Sequence, residues 1–226
     1  MIKISFIFRF ILVAHTTVSM FFRVGNLVIR SPFSIRRPRR REKCLVIKTA
    51  GAFPPAHPST KAALTVLERL KIKKEARILD IGCGSGILGL TAVSKNDAMA
   101  IGCDINPASI KTSRENAIFN QMQDRFHLFC GSANAVSERF DLIIANLPAA
   151  VHMQLFDHYR RLIPRNQGLL VVSGFYDVQA AVMEKELARK DFAVLERIEI
   201  SASAAALTSE CSCTWVGLGL KNRGTY

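Results

Sequence analysis

From Ala76 onward, short apolar runs alternate with longer stretches whose apolar positions recur every three or four residues. The short runs cover residues 78–81, 98–103, 125–130, 142–145 and 169–173. Apart from Asp80, Arg125, His127 and Ser173, both alternating sets of positions are apolar, the pattern of a strand buried on two faces. The longer stretches predict helices over residues 87–95, 107–120, 151–162 and 178–190. Two final runs, 193–200 and 214–220, are joined by a loop of small residues and predict an antiparallel pair at one sheet edge. The alternation predicts an α/β fold, a doubly wound Rossmann-like sheet covered by helices on both faces.

Ahead of this pattern, residues 24–29 and 44–47 read as short strands around a Pro- and Arg-rich loop at 31–43. Three prolines hold 53–58 extended. Ser59 or Thr60 then caps a helix to about Leu70, with Ala63, Leu64 and Leu67 on one face. The expected division is a hydrophobic and basic N-terminal segment, 1–48, and a domain of 49–226.

The candidate chemistry sits at Leu79-Asp80-Ile81-Gly82-Cys83-Gly84-Ser85-Gly86, where a strand runs through alternate glycines into a helix. Glycine lets the backbone turn sharply and lie close to a ligand. Asp104 ends the next strand, about twenty residues on, where a carboxylate can accept hydrogen bonds from ribose hydroxyls. A dinucleotide site wants G-x-G-x-x-G, but Ile87 takes the place of its last glycine. A methyl donor has no pyrophosphate to cradle, so G-x-G-x-G with an acid at Asp80 points to S-adenosylmethionine. The fourth strand ends in Asn146-Leu147-Pro148, at the carboxyl edge where such sheets bind ligands. Its amide can both donate and accept. Ser132, after the third strand, is a candidate for the adenine or simply a turn residue.

Composition narrows this little: 226 residues at 49% hydrophobic exclude a disordered chain. Six scattered cysteines without a CxxC pair suggest a reducing, cytoplasmic setting. Cys44 with Cys211-x-Cys213 lacks zinc-site spacing, so no metal is expected. Charge changes the picture more. Residues 1–48 hold 11 Lys/Arg against Glu42 alone, so about +10 of the net +13 lies there. Arg36, Arg37, Arg39, Arg40 and Arg41 form either a solvated loop or a contact for RNA or the ribosome. The apolar stretch 4–22 contains Arg9 and His15 and is read as packed on the domain, with a membrane anchor or a cleaved signal as alternatives.

These motifs together resemble the bacterial PrmA family, which methylates a ribosomal protein at the base of the large-subunit stalk. The likeness includes Val24-Gly25-Asn26-Leu27, His57-Pro58-Ser59-Thr60, the glycine turn, Asp104-Ile105-Asn106-Pro107, Ala145-Asn146-Leu147, Ser173-Gly174 and Trp215-Val216-Gly217-Leu218. The resemblance implies a cofactor site using Thr60, Gly82, Asp104 and Asn146, and methyl transfer to a protein amine; the glycine turn adds Gly84 to that site, and the Asn146 amide is expected to orient the amine. His57 falls on a family position and reads as structural rather than catalytic. Where the family has Phe-Gly-Thr-Gly, this chain has the stiffer Phe53-Pro54-Pro55-Ala56, and only about twenty residues stand in place of the family's N-terminal substrate-recognition domain. Two alternatives are an RNA methyltransferase and a non-catalytic S-adenosylmethionine-binding module.

Overall fold

A computed structural model of the chain describes residues 20–49, 53–201 and 213–224. Seven strands form the main sheet: β4 (Arg77–Ile81), β5 (Met99–Asp104), β6 (Phe126–Cys130), β7 (Leu142–Asn146), β8 (Leu169–Tyr176), β9 (Phe192–Ser201) and β10 (Thr214–Asn222). Their order is β6-β5-β4-β7-β8-β10-β9. The first five are mutually parallel, and β10 enters between β8 and β9 antiparallel to both. The expected C-terminal pair is thus present, with β9 at the edge.

Strand alternation distributes the core. Ile78, Leu142, Ile144 and Val171 face α1 (Pro58–Arg69), α2 (Ile87–Asn96) and α3 (Pro107–Phe119). Their neighbours Leu79, Ile143, Leu170 and Val172 face α4 (Ala149–Leu162) and α5 (Asp177–Arg189) on the other side. Because both faces are covered, these strands are apolar at nearly every position, Arg77, Asp80, Asn146 and Ser173 apart, which is why they are legible as continuous runs.

A three-stranded sheet, β1 (Phe21–Val24), β2 (Leu27–Arg30) and β3 (Lys43–Val46), lies over the α1–α3 side. Leu27, Ile29, Leu45 and Ile47 are buried in the same core as α1 and α2. The single strand expected at 24–29 is instead a hairpin. Gly25 adopts φ 55°, and Val24 pairs back on Leu27. Asn120 of the loop after α3 both donates to Val46 O and accepts from Val46 N, each at 2.8 Å, as a neighbouring strand would. Asn116 does the same for Lys48 and also donates to Ser85 O at 2.8 Å, which ties this small sheet to the glycine turn.

The helix expected to be capped by Ser59 or Thr60 begins earlier. Pro58 is its first residue, and His57 is the cap, its Nδ1 accepting from Ser59 N at 3.2 Å. Ser59 and Thr60 lie inside the helix and are buried. α1 rests directly on β10, where a Cβ at Gly217 would stand 2.9 Å from the Ala62 backbone. Similarly, α4 starts at Ala149 rather than 151, because Pro148 takes the cap position. Residues 4–19, Ala52 and Cys211 lie outside the described residues, as does the loop joining β9 to β10. Among the described residues no helix is long and apolar enough to cross a membrane.

Candidate functional site

A cavity of about 570 Å³ opens at the carboxyl ends of the parallel strands, within the range of small-molecule sites. It lies where the strand order reverses, β5 and β6 running to one side of β4 and β7 and β8 to the other. Gly82 and Gly84 from β4, Asp104 and Ile105 from β5, Ser132 to Asn134 from β6, and Asn146 to Pro148 from β7 all reach its wall.

The glycine turn requires its glycines. Gly82 has φ 69° and Gly86 φ 78°, and a Cβ at Gly82 would come within 2.5 Å of Leu147 Cδ2. Gly84, at φ 54°, is different. A Cβ there would meet nothing nearer than Gly82 O at 3.9 Å, so this position lies open to the cavity. Gly84 N donates to Asp104 Oδ2 at 3.0 Å, and Asn106 N donates to Oδ1 at 2.9 Å. A carboxylate has about four lone-pair sites, so Asp104, so held, can accept two more bonds. It is the one Asp, Glu, Lys or Arg among the described residues of the wall.

Asn146 Nδ2 donates to Thr60 Oγ1 at 3.3 Å, leaving Oδ1 with no donor among the described residues. Thr60 itself does not reach the wall; Ser59 does. The structure thus places Thr60 behind Asn146, orienting its amide. Ser132 lies on the wall, with its hydroxyl accepting from Asn134 N at 3.3 Å. His57 is off the wall, packed 4.5 Å from both Phe53 and Trp215, and burial lowers its pKa. Cys103 is on the wall, where burial pushes its thiol up to about 12 and disfavours the thiolate.

Sequence reasoning missed the support beneath the Asn146 turn. Ser173 O accepts from Leu147 N at 2.9 Å and pairs with His152 Nε2 at 2.9 Å. A carbonyl only accepts, so Nε2 carries the proton and Nδ1 accepts from Tyr159 Oη at 2.9 Å. At Gly174, φ 99°, a Cβ would stand 2.4 Å from Leu147 O, so only glycine lets β8 pass this close to the turn. His158, one helical turn and a half beyond His152, also lines the wall, and its Nδ1 is buried without a hydrogen-bond partner among the described residues. No spacing in the sequence announces either histidine.

Asp80 is buried below the turn and accepts from Gly89 N at 2.9 Å, so the acid before the glycines fastens β4 to α2 and does not line the cavity. Burial raises its pKa to about 7, with the Asp104 charge adding to the effect and the Gly89 N–H opposing it. Burial lowers His152 to about 4, against the Ser173 and Leu147 carbonyls. These two groups have opposite pH dependence. Folded Asp80 keeps a proton that the unfolded chain releases near pH 4, so its contribution is full below that and lost as pH rises toward 7. Folded His152 refuses a proton that the unfolded chain takes up below about pH 6.5, so its contribution is full above that and lost as pH falls toward 4. We expect Asp80→Asn to shift the slope of stability against pH upward from that of the unsubstituted chain, and His152→Gln to shift it downward. Each change in slope should be about 1 kcal/mol per pH unit, read from denaturant unfolding at several pH values between about 4 and 6.5. Changes in slope of the same sign in both variants, each measured against the unsubstituted chain, would contradict these protonation states.

The strand order, the glycine turn and the carboxylate that closes it define a Rossmann-like methyltransferase fold. Comparison with known proteins makes this particular: residues 22–205 match the model of the ribosomal protein L11 methyltransferase (PrmA) family, and the chain belongs to that family. It is 35% identical over 125 residues to the ribosomal protein L11 methyltransferase of Pasteurella multocida, covering 55% of this chain and 42% of the relative. An Escherichia coli relative of the same description is 36% identical over 124 residues, again at 55% and 42%. The chain thus spans less than half the length of these curated relatives. Among solved structures, a ribosomal protein L11 methylase from Lactobacillus delbrueckii subsp. bulgaricus superposes with a TM-score of 0.77 at 24% identity, covering 91% of this chain and all of that one. An RNA methyltransferase from Salinibacter ruber in complex with S-adenosyl-L-homocysteine superposes at 0.54 with 14% identity, covering 73% and 92%.

Proposed function

We propose that this chain transfers a methyl group from S-adenosylmethionine to a protein nitrogen, a lysine or terminal amine, and that its substrate is a ribosomal protein in the cytoplasm. The carrying observation is that Asp104 and Asn146, held by Gly84 and Thr60, open onto one cavity of cofactor size. The unit responsible is 49–226, on which the described part of 1–48 packs.

The residues fit the cofactor. Asp104 offers acceptor capacity to ribose hydroxyls, Gly84 gives backbone room beside it, and Gly82 shapes the turn. The bound sulfonium supplies an already activated methyl group, so alignment is the protein's main task. A lysine amine at pKa ~10.4 is almost wholly protonated at neutral pH, a penalty of about 4–5 kcal/mol. The wall near Asn146 includes Phe53, Leu147, Pro148 and Trp215, and such apolar surroundings disfavour the ammonium. Asn146 Oδ1 then accepts from the amine N–H and directs its lone pair toward the methyl group. The test is transfer of labelled methyl from S-adenosylmethionine to protein in a cell lysate. Label on a ribosomal protein is expected. Label confined to RNA would favour an RNA methyltransferase, and cofactor binding with no label a non-catalytic module.

A further inference from the structure

The conspicuous charge of this chain plays no part in that cavity. Among the described residues of its wall there is no lysine or arginine. The arginines instead crowd the loop between β2 and β3, where Arg36, Arg37, Arg39, Arg40 and Arg41 are all exposed. None of the five forms an ion pair among the described residues. The one acid of the loop, Glu42, is already engaged: Arg23 Nε and Arg39 N both donate to it, at 2.7 Å each. These bonds hold the Glu42 carboxyl below the usual range, so it stays ionised and paired.

The loop is shaped as well as charged. Arg30, Arg36 and Arg37 border a concavity of about 500 Å³ with Pro32, Ser34 and Pro38, and no acid lines it. Arg30 Nη1 donates to Ser31 O and Pro32 O at 3.2 and 3.4 Å, bracing the first turn of the loop. The Arg36 guanidinium lies 5.8 Å above the Phe21 ring, so this cation rests on an aromatic face. Residues 34–39 are without helix or strand, between turns at 32–33 and 40–41, so the five arginines project from six consecutive positions of a surface loop. Phe33, 74% exposed at the edge of this basic strip, presents an aromatic ring on which a base can stack.

We propose that the 31–41 loop is an RNA-binding surface that grips phosphodiesters through its arginine forks. Guanidinium groups suit this because each presents paired donors to phosphate oxygens. A concave site lined by three arginines fits a phosphate better than it fits a flat anionic bilayer. The surface is independent of the cofactor cavity, so it stands or falls separately from the methyltransferase reading. For a ribosomal substrate it would hold the protein against ribosomal RNA.

The test is fluorescence anisotropy of the full chain with a labelled RNA hairpin across a salt series. Five phosphate contacts predict a slope of log affinity against log salt of about −4 to −5, a loss of roughly 500-fold between about 50 and 200 mM salt. Replacing all five arginines with serine should reduce the slope to about −1 or less while S-adenosylhomocysteine binding is unchanged. Replacing them with lysine, which keeps the charge, should preserve most of the slope. The lysine variant decides the matter if the serine variant fails to fold. An unchanged slope in the serine variant, a lost slope in a folded lysine variant, or tighter binding to phosphatidylserine vesicles than to RNA would each overturn the proposal.

Discussion

Titration of Asp104→Ala with S-adenosylhomocysteine is expected to give a dissociation constant at least about tenfold above that of the unsubstituted chain. On the proposed reading of the site, the substitution removes two hydrogen bonds from ribose to this carboxylate, each of roughly 1.5–3 kcal/mol. The substitution also releases Gly84 N and Asn106 N, which now donate to the two carboxylate oxygens at 3.0 and 2.9 Å. Part of the loss therefore comes from a glycine turn no longer held in shape. Asp104→Asn separates the contributions, since its one amide oxygen keeps an acceptor but abolishes the charge. It should fall between the two. An unchanged constant in Asp104→Ala would remove this carboxylate from the cofactor site, and NADH binding as tightly as S-adenosylhomocysteine would replace the cofactor altogether.

How much of this was readable beforehand depends on how local the signal is. The strands through Leu79, Ile101 and Ile143 are legible because burial on two faces writes apolar residues along both alternating sets of positions, with polar residues such as Asp80, Asp104 and Asn146 the exceptions. The glycine turn and Asp104 were legible because their roles rest on backbone conformation and on a position about twenty residues along one βαβ unit. The hairpin is marked in the sequence by Gly25-Asn26, two turn residues between apolar runs, a signal that the single strand expected at 24–29 passes over. The cap at His57 was assigned to Ser59 or Thr60, the ordinary capping types, whereas here an imidazole does the same work. What could not be read was contact across the sheet. Thr60 reaches Asn146 from 86 positions away. Ser173 joins Ser59 O, Val216 O and the Leu147 turn only because β7, β8, β10 and α1 converge there. His152 becomes a support for that turn only because α4 folds back beneath it, and no period or spacing encodes such a meeting.

That convergence sets the expectation for Asn146→Ala. With labelled substrate at saturating cofactor, turnover should fall by about 10²-fold or more, while denaturant unfolding remains close to that of the unsubstituted chain. The turn is held by Ser173 O on Leu147 N and by the Gly174 backbone against Leu147, neither of which uses the Asn146 side chain. Truncation therefore removes the amide without removing the turn. It leaves Thr60 Oγ1 without the Nδ2–H that reaches it at 3.3 Å, a long bond whose loss a half-buried site can offset with water. Thr60→Val offers the complementary measurement, because it keeps the Asn146 amide but frees its orientation. If Thr60 acts by aiming Asn146, then Thr60→Val should lower turnover less than Asn146→Ala, and the double variant should be no worse than Asn146→Ala alone. Additive losses would mean that Thr60 serves the reaction by another route, and full turnover in Asn146→Ala would mean that the amine is aligned without this amide.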